Sequence, residues 1–223
     1  MNRRAAGVVL VALAVLAPGI FVAGAEPADP RVVELLRLEC ATELGRRELT
    51  LFANGTVRLR EGPAGEEELK LGELAPDELA AYRERLRAED LSEVAPDRSG
   101  PSGDWIEACS LTLSPDGEEP APVFRFGRFD RLPLALSRVL AVAEDLAAEV
   151  SAVAEEDRLP DGYRPRRGDV LRRADGALFE VVGPTADRRG VELRGVDMPL
   201  TVYIVTTDLQ REFVALVSRR PLR

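Results

Sequence analysis

The feature that most constrains this chain is a stripe of apolar residues between positions 132 and 153. Leu132, Leu136, Val139, Ala143, Leu146, Val150 and Val153 alternate in spacing between four and three, so an α-helix would carry them all on one face. Leu140, Ala147 and Ala154 widen the stripe to the width that a helix covering a globular core needs. The same repeat also suits a coiled-coil dimer seam, and that alternative stays open. Pro133 falls where a missing N–H costs little, and Asp130 is placed to cap the first turn. The helix divides the chain, with one run of strand-like segments before it and a second run of different character after Pro160.

Upstream, residues 32–40 and 48–52 read as strands. Asn54-Gly55 then predicts a type I′ hairpin turn into Val57-Arg58-Leu59, because both turn residues tolerate positive φ. Asn54-Gly55-Thr56 also matches a glycosylation sequon, which the turn accounts for by itself. Residues 69–74 suggest a short strand. Pro76-Asp77-Glu78 opens a helix reaching about residue 90, a proline and two acids being suited to that end. Leu79, Tyr82, Leu86 and Leu91 are its inward residues. Residues 105–113 alternate, with Trp105, Glu107, Cys109, Leu111 and Leu113 on one face, and neither face is cleanly polar, as in an inner strand. Pro115-Asp116-Gly117 marks a turn before another strand at 123–126. This order predicts an α+β unit over residues 31–157, an antiparallel sheet packed by two helices. A cysteine-bearing first strand, Asn54-Gly55, a Leu-rich helix, Cys109 and Asp116-Gly117 together resemble α+β domains of uncharacterised bacterial secreted proteins, a resemblance that implies no activity.

Residues 160–165 read as a linker. Beyond it, segments 169–172, 178–182, 191–194, 201–205 and 213–217 are short strands, with one turn of 3₁₀ helix at 207–211 before the last. Five strands so arranged over residues 163–220 resemble an SH3-like β-barrel, which implies a small all-β domain and no particular ligand.

Residues 1–25 read as a secretory signal: Arg3 and Arg4 precede an apolar run, Pro18-Gly19 breaks it, and Ala23-Gly24-Ala25 supplies a small-x-small cleavage site. Ala5 to Ala25 carries no charge, so an uncleaved membrane anchor is the alternative. Export would place Cys40 and Cys109 in an oxidising compartment, where an even count suggests one disulfide; two buried thiols are the other reading. Losing Arg3 and Arg4 from a chain of formal charge −9 leaves −11, and neither value has the basic footprint of a general nucleic-acid binder. Lys70 is the sole lysine, and with Ala, Gly and Pro so frequent the composition reads as the coding bias of a GC-rich bacterium.

No histidine is present, which removes Ser-His-Asp and Cys-His catalysis and histidine metal sites. A Ser–Lys dyad would have to use Lys70, which lies in a charged stretch. No glycine-rich phosphate loop occurs, and Asp116-Gly117-Glu118-Glu119 lacks calcium-loop spacing. No cofactor, metal site or catalytic residue is therefore expected. Glu107 is the one acid embedded in an inner-strand pattern, where burial would suit a general acid, although a solvated or arginine-paired acid is the plainer reading. Arg167-Gly168-Asp169 matches an adhesion tripeptide but leads directly into a strand. Arg164, Arg166, Arg167, Arg172 and Arg173 form a basic cluster in an acidic chain. The cluster suits either an anionic envelope polymer or headgroup, or neutralisation of the acidic first unit. Three functional readings stay open: a non-catalytic exported protein that binds or scaffolds in the envelope, a carboxylate-based enzyme acting on glycans, and an inhibitor or immunity-type protein. Envelope proteins and anionic polymers are the expected partners, with a membrane only if the leader stays attached.

Overall fold

A computed structural model describes residues 32–95, 108–117, 121–127, 131–153 and 157–218. The first unit contains β1 (Glu34–Ala41), β2 (Arg46–Phe52), β3 (Thr56–Gly62), β4 (Glu68–Glu73), α1 (Pro76–Arg87), β5 (Ala108–Leu113), β6 (Val123–Gly127), α2 (Leu134–Ala148) and β7 (Ser151–Ala152). The second contains β8 (Val170–Arg173), β9 (Leu178–Pro184), β10 (Gly190–Gly195) and β11 (Thr201–Val205). A 3₁₀ turn (Thr206–Asp208), α3 (Leu209–Glu212) and β12 (Phe213–Ser218) complete it.

The expected fold class, α+β with two packing helices followed by a small barrel, is corrected. The described chain is mostly β, built from two antiparallel sheets ordered β6-β5-β1-β2-β3-β4-β7 and β11-β10-β9-β8-β12. The helices have only 12, 15 and 4 residues. In the second sheet β11 and β12 are opposite edges that do not pair with each other, so the sheet is open. Residues 157–159, expected to precede a linker, instead run along β12: Leu216 N–H donates to Asp157 O at 2.9 Å, Leu159 N–H donates to Val214 O at 3.3 Å, and Arg158 forms a bridge with Ala215. Backbone groups that a flexible linker would leave to water are satisfied there by a sheet edge.

The apolar stripe overshoots for a related reason. Leu136, Val139, Ala143 and Leu146 are buried as expected, joined by Val142, while Leu132, Leu140, Ala147 and Val150 pack beside them. The helix nevertheless stops at Ala148, and Ser151 and Ala152 pair with Leu71 and Lys70 at the edge of β4. Gly72 makes the close approach possible, because a Cβ there would lie 2.6 Å from Glu149 O. Pairing with an open sheet edge thus wins over continued helical spacing. Pro133 is the residue that precedes the helix, not its first turn, and Asp130 and Ala154 lie outside the described residues. The stripe packs into the core, the reading set beside the dimer seam.

Register explains the first core. Leu36, Leu38 and Cys40 of β1 stand opposite Leu51, Leu49 and Arg47 of β2 and opposite Leu113, Leu111 and Cys109 of β5. The leucines on this face are buried under α1 and α2, each contributing about 1.5–3 kcal/mol relative to exposure. β5 is an inner strand between β1 and β6, as its two-sided pattern predicts. Trp105, Ile106 and Glu107 lie outside the described residues. The opposite face is charged: Arg58 pairs with Glu48 at 2.8 Å, and Arg46 reaches Glu39 at 2.9 Å and Glu48 at 3.0 Å. Arg58 also lies over the Phe52 ring at 5.0 Å, and burial lowers its pKa against the opposing pull of Glu48.

The β2–β3 turn forms at the predicted place in a different conformation. Gly55 N–H donates to Phe52 O at 3.0 Å, and Gly55 is at φ 87° while Asn54 is not at positive φ. This is a three-residue connection ending in a left-handed glycine, not a type I′ turn. The reason is that the Asn54 side chain has other partners. Its Oδ1 accepts Thr56 N–H at 3.1 Å, and its Nδ2 donates to Asp175 O at 3.0 Å in the β8–β9 turn.

That contact joins the two units. Gly176 sits at φ 82°, and a Cβ there would lie 1.9 Å from Thr56 Oγ1 and 2.9 Å from Thr56 Cβ. A Gly176→Ala variant is expected to lose about 1–2 kcal/mol from left-handed strain alone, and more if the hairpin tip is displaced. Thermal unfolding checks the first effect, and faster proteolytic cleavage between the units, around residues 153–160, checks the second.

Candidate functional site

Cys40 and Cys109 are direct partners across β1 and β5 and form a disulfide. Such a bridge fits an oxidising compartment. No described helix is long and apolar enough to cross a membrane.

The five arginines singled out as a cluster separate into two ends of the second sheet. Arg173 is buried at the β8–β9 turn. Its Nη2 donates to Asp175 Oδ2 at 2.7 Å, its Nε donates to both carboxylate oxygens at 3.0 Å, and its guanidinium lies 5.1 Å from the Phe179 ring centroid. Asp175 also accepts Ala177 N–H at 3.1 Å and, from the first unit, Val32 N–H at 3.4 Å. Burial alone would raise the Asp175 carboxyl, but Arg173 and these backbone donors outweigh it and hold the carboxyl below the ordinary aspartate range. Arg172 faces the first unit, 3.9 Å from Glu73. These two arginines therefore serve the fold and the junction.

Arg164, Arg166 and Arg167 lie elsewhere, exposed on the lead-in to β8. Buried Asp169 shapes that lead-in by accepting Tyr163 OH at 2.6 Å and Arg166 N–H at 3.2 Å. Gly168, at φ 87°, donates its N–H to Val181 O at 2.8 Å. Because Asp169 is 0% exposed, Arg167-Gly168-Asp169 cannot present its acid to a receptor. In an antiparallel sheet the entrance to β8 and the β9–β10 turn share one end. That turn holds Arg188 and Arg189, both exposed. Among the described residues none of these five arginines makes an ion pair with an acid. Asp187 in the same turn is occupied by Thr185 Oγ1–H at 2.5 Å and Arg189 N–H at 3.1 Å. Sequence reading missed Arg188 and Arg189 because twenty residues separate them from the first three; the signal available was the Arg-Arg-Gly turn between two predicted strands.

The other candidate is a cleft of about 400 Å³ between the units. Glu67, Glu68, Leu69 and Val153 line it from one side, and Arg158, Leu159, Asp161, Gln210, Phe213 and Val214 from the other. Arg158 Nε donates to Val153 O at 3.2 Å, and Gln210 Nε2 donates to Pro160 O at 2.9 Å. The Glu67 carboxyl is held below the ordinary glutamate range by backbone N–H groups at Glu67 and Gly65, with Arg46 and Arg60 adding attraction. Glu67 is thus a carboxylate at neutral pH, a charge carrier and not a proton donor. Lys70 is paired with Glu61 at 2.7 Å. Asp116 is paired with Arg87, while Glu118 and Glu119 lie outside the described residues. Among the described residues no group of three or more potential ligand side chains converges to hold a metal ion.

No family model, curated protein or solved structure matches the chain.

Proposed function

We propose that this is an exported, non-catalytic binding or scaffolding protein of the cell envelope, periplasmic or extracellular, whose second unit contacts an anionic polymer. The observation that carries the reading is the placement of Arg164, Arg166 and Arg167, exposed together on one lead-in with no acid partner among the described residues. In a chain of net charge −9, arginines left unneutralised are available for phosphate or carboxylate groups outside the protein. Asp169 and Tyr163 hold the loop's shape, so less ordering is needed on binding. The disulfide supports the oxidising compartment in which such a polymer would be met.

The test is binding of residues 26–223 to a poly(glycerol phosphate) polymer at two salt concentrations. Replacing Arg164, Arg166 and Arg167 together by Ala is expected to weaken binding roughly 100-fold, from about 1 kcal/mol per basic side chain near an anionic surface. The salt dependence of binding should fall as well. Equal affinity of the triple variant and the parent would reject the reading.

A further inference from the structure

We propose that the outer edge of β11 is a homodimer interface, where two copies of this chain pair antiparallel about a two-fold axis at Tyr203 and join their second sheets into one. The two sheets have four edges, and three are blunted. β7 has only two residues, β6 carries the exposed Arg125, and β12 is covered by residues 157–159. Short, charged and covered edges all resist pairing. β11 has none of these devices. Thr201-Val202-Tyr203-Ile204-Val205 is β-branched or aromatic throughout, and the uncharged run extends from Met198 to Thr207 in a chain of which 31% is charged. No described strand pairs with its outer side.

The symmetry and charge of this edge select a second copy as its occupant. Gly195 N–H donates to Leu200 O at 2.7 Å and Thr206 N–H donates to Arg189 O at 3.1 Å, which sets the phase of the β10–β11 ladder. Residues of an antiparallel strand address its two sides alternately, so Val202 and Ile204 bond to β10 while Thr201, Tyr203 and Val205 turn their N–H and C=O outward. A two-fold axis at Tyr203 then sets Tyr203 opposite its own counterpart and Thr201 opposite Val205 of the second copy, and every outward group gains a partner. Both faces gain contacts. Tyr203 and Val205, 69% and 50% exposed, meet apolar or aromatic neighbours on one face. On the other, Val202 and Ile204, half-buried at the margin of the second core, stand opposite one another across the axis. Two copies of formal charge −9 repel, so their contact must fall where neither carries charge, and this edge is such a place. Each copy has one such edge, so the assembly closes at two. A five-residue strand makes a small interface, and the dimer is accordingly weak, with a dissociation constant on the order of 100 μM.

Sedimentation equilibrium of residues 26–223 between roughly 10 μM and 1 mM tests this, the mass rising from one chain towards two. Tyr203→Lys, which sets two ammonium groups opposite each other, should weaken the dimer about tenfold. Val205→Pro should do likewise by removing an outward N–H; Val205 lies at φ −65°, which proline adopts without strain. Neither change removes a bond within one chain, so melting temperatures at low concentration should stay unchanged. Under a mild oxidant Tyr203→Cys should cross-link two copies, because paired Cα atoms there lie about 5.5 Å apart. Thr201→Cys, whose counterpart lies four residues along the strand, should not. A single-chain mass throughout, growth beyond two chains, a dimer indifferent to both Tyr203→Lys and Val205→Pro, or equal cross-linking at the two cysteine positions would overturn the proposal. A monomer that instead captures an extended peptide along β11 would overturn it in favour of a different occupant.

Discussion

Replacing both Cys40 and Cys109 by Ala is expected to cost about 4 kcal/mol of folding stability. The two residues are 69 apart in sequence, so the bridge removes a large loop from the unfolded ensemble. Both sulfurs belong to the first core, at 8% and 4% residue exposure, so their neighbours would also lose packing contacts. Urea unfolding of the double variant, and of the parent under reducing conditions, measures the loss. Reduction removes the constraint alone and the double variant also deletes both buried sulfurs, so the variant should lose more than the reduced parent, the difference being the packing contribution. A loss below about 1 kcal/mol would mean that ladder pairing between β1 and β5 already confines the unfolded chain.

Asp175→Ala is the second large effect, expected to cost about 3–5 kcal/mol because it leaves the Arg173 guanidinium buried without its acid. Arg173 is 7% exposed, and the change also removes the acceptor for Ala177 N–H and Val32 N–H. Asp175→Asn, which keeps the volume, separates charge from packing. The folded carboxyl titrates below its unfolded value near ~3.9. Its contribution is therefore fully present above that value and is lost as pH falls through the folded pKa. Melting temperatures measured from pH 7 downward should show a loss below about pH 4 in the parent that is reduced in Asp175→Asn. Parallel pH profiles would show that Asp175 carries no such linkage.

The arginine cluster shows how far the residues speak for themselves. Five arginines within ten positions were legible as a basic run, but their division was not. β8 lies between them, so Arg164, Arg166 and Arg167 stand at its entrance while Arg173 stands at its exit, against the first unit. Charge is a property of the residue, whereas the availability of that charge depends on what folds beside it. The cleft was not legible at all, since Glu67 and Glu68 meet Asp161 and Gln210 only after the two sheets dock.

Features governed by near neighbours and by residue chemistry were determined by the sequence alone. Alternation in β5 set its core face, the Leu136–Val139–Ala143–Leu146 spacing set the buried face of α2, and Asn54-Gly55 set the site of a hairpin. The absence of histidine removed whole classes of catalysis. Only the tertiary structure decided where α2 stops, because Ser151 and Ala152 gain a ladder on β4 that no local pattern announces. It likewise decided the conformation of the Asn54-Gly55 turn, through a hydrogen bond to Asp175 a hundred and twenty-one residues away. It also laid residues 157–159, just ahead of the expected linker, along the edge of β12. In each case a backbone or side-chain polar group found a distant partner, and the need to satisfy that group overrode the local preference.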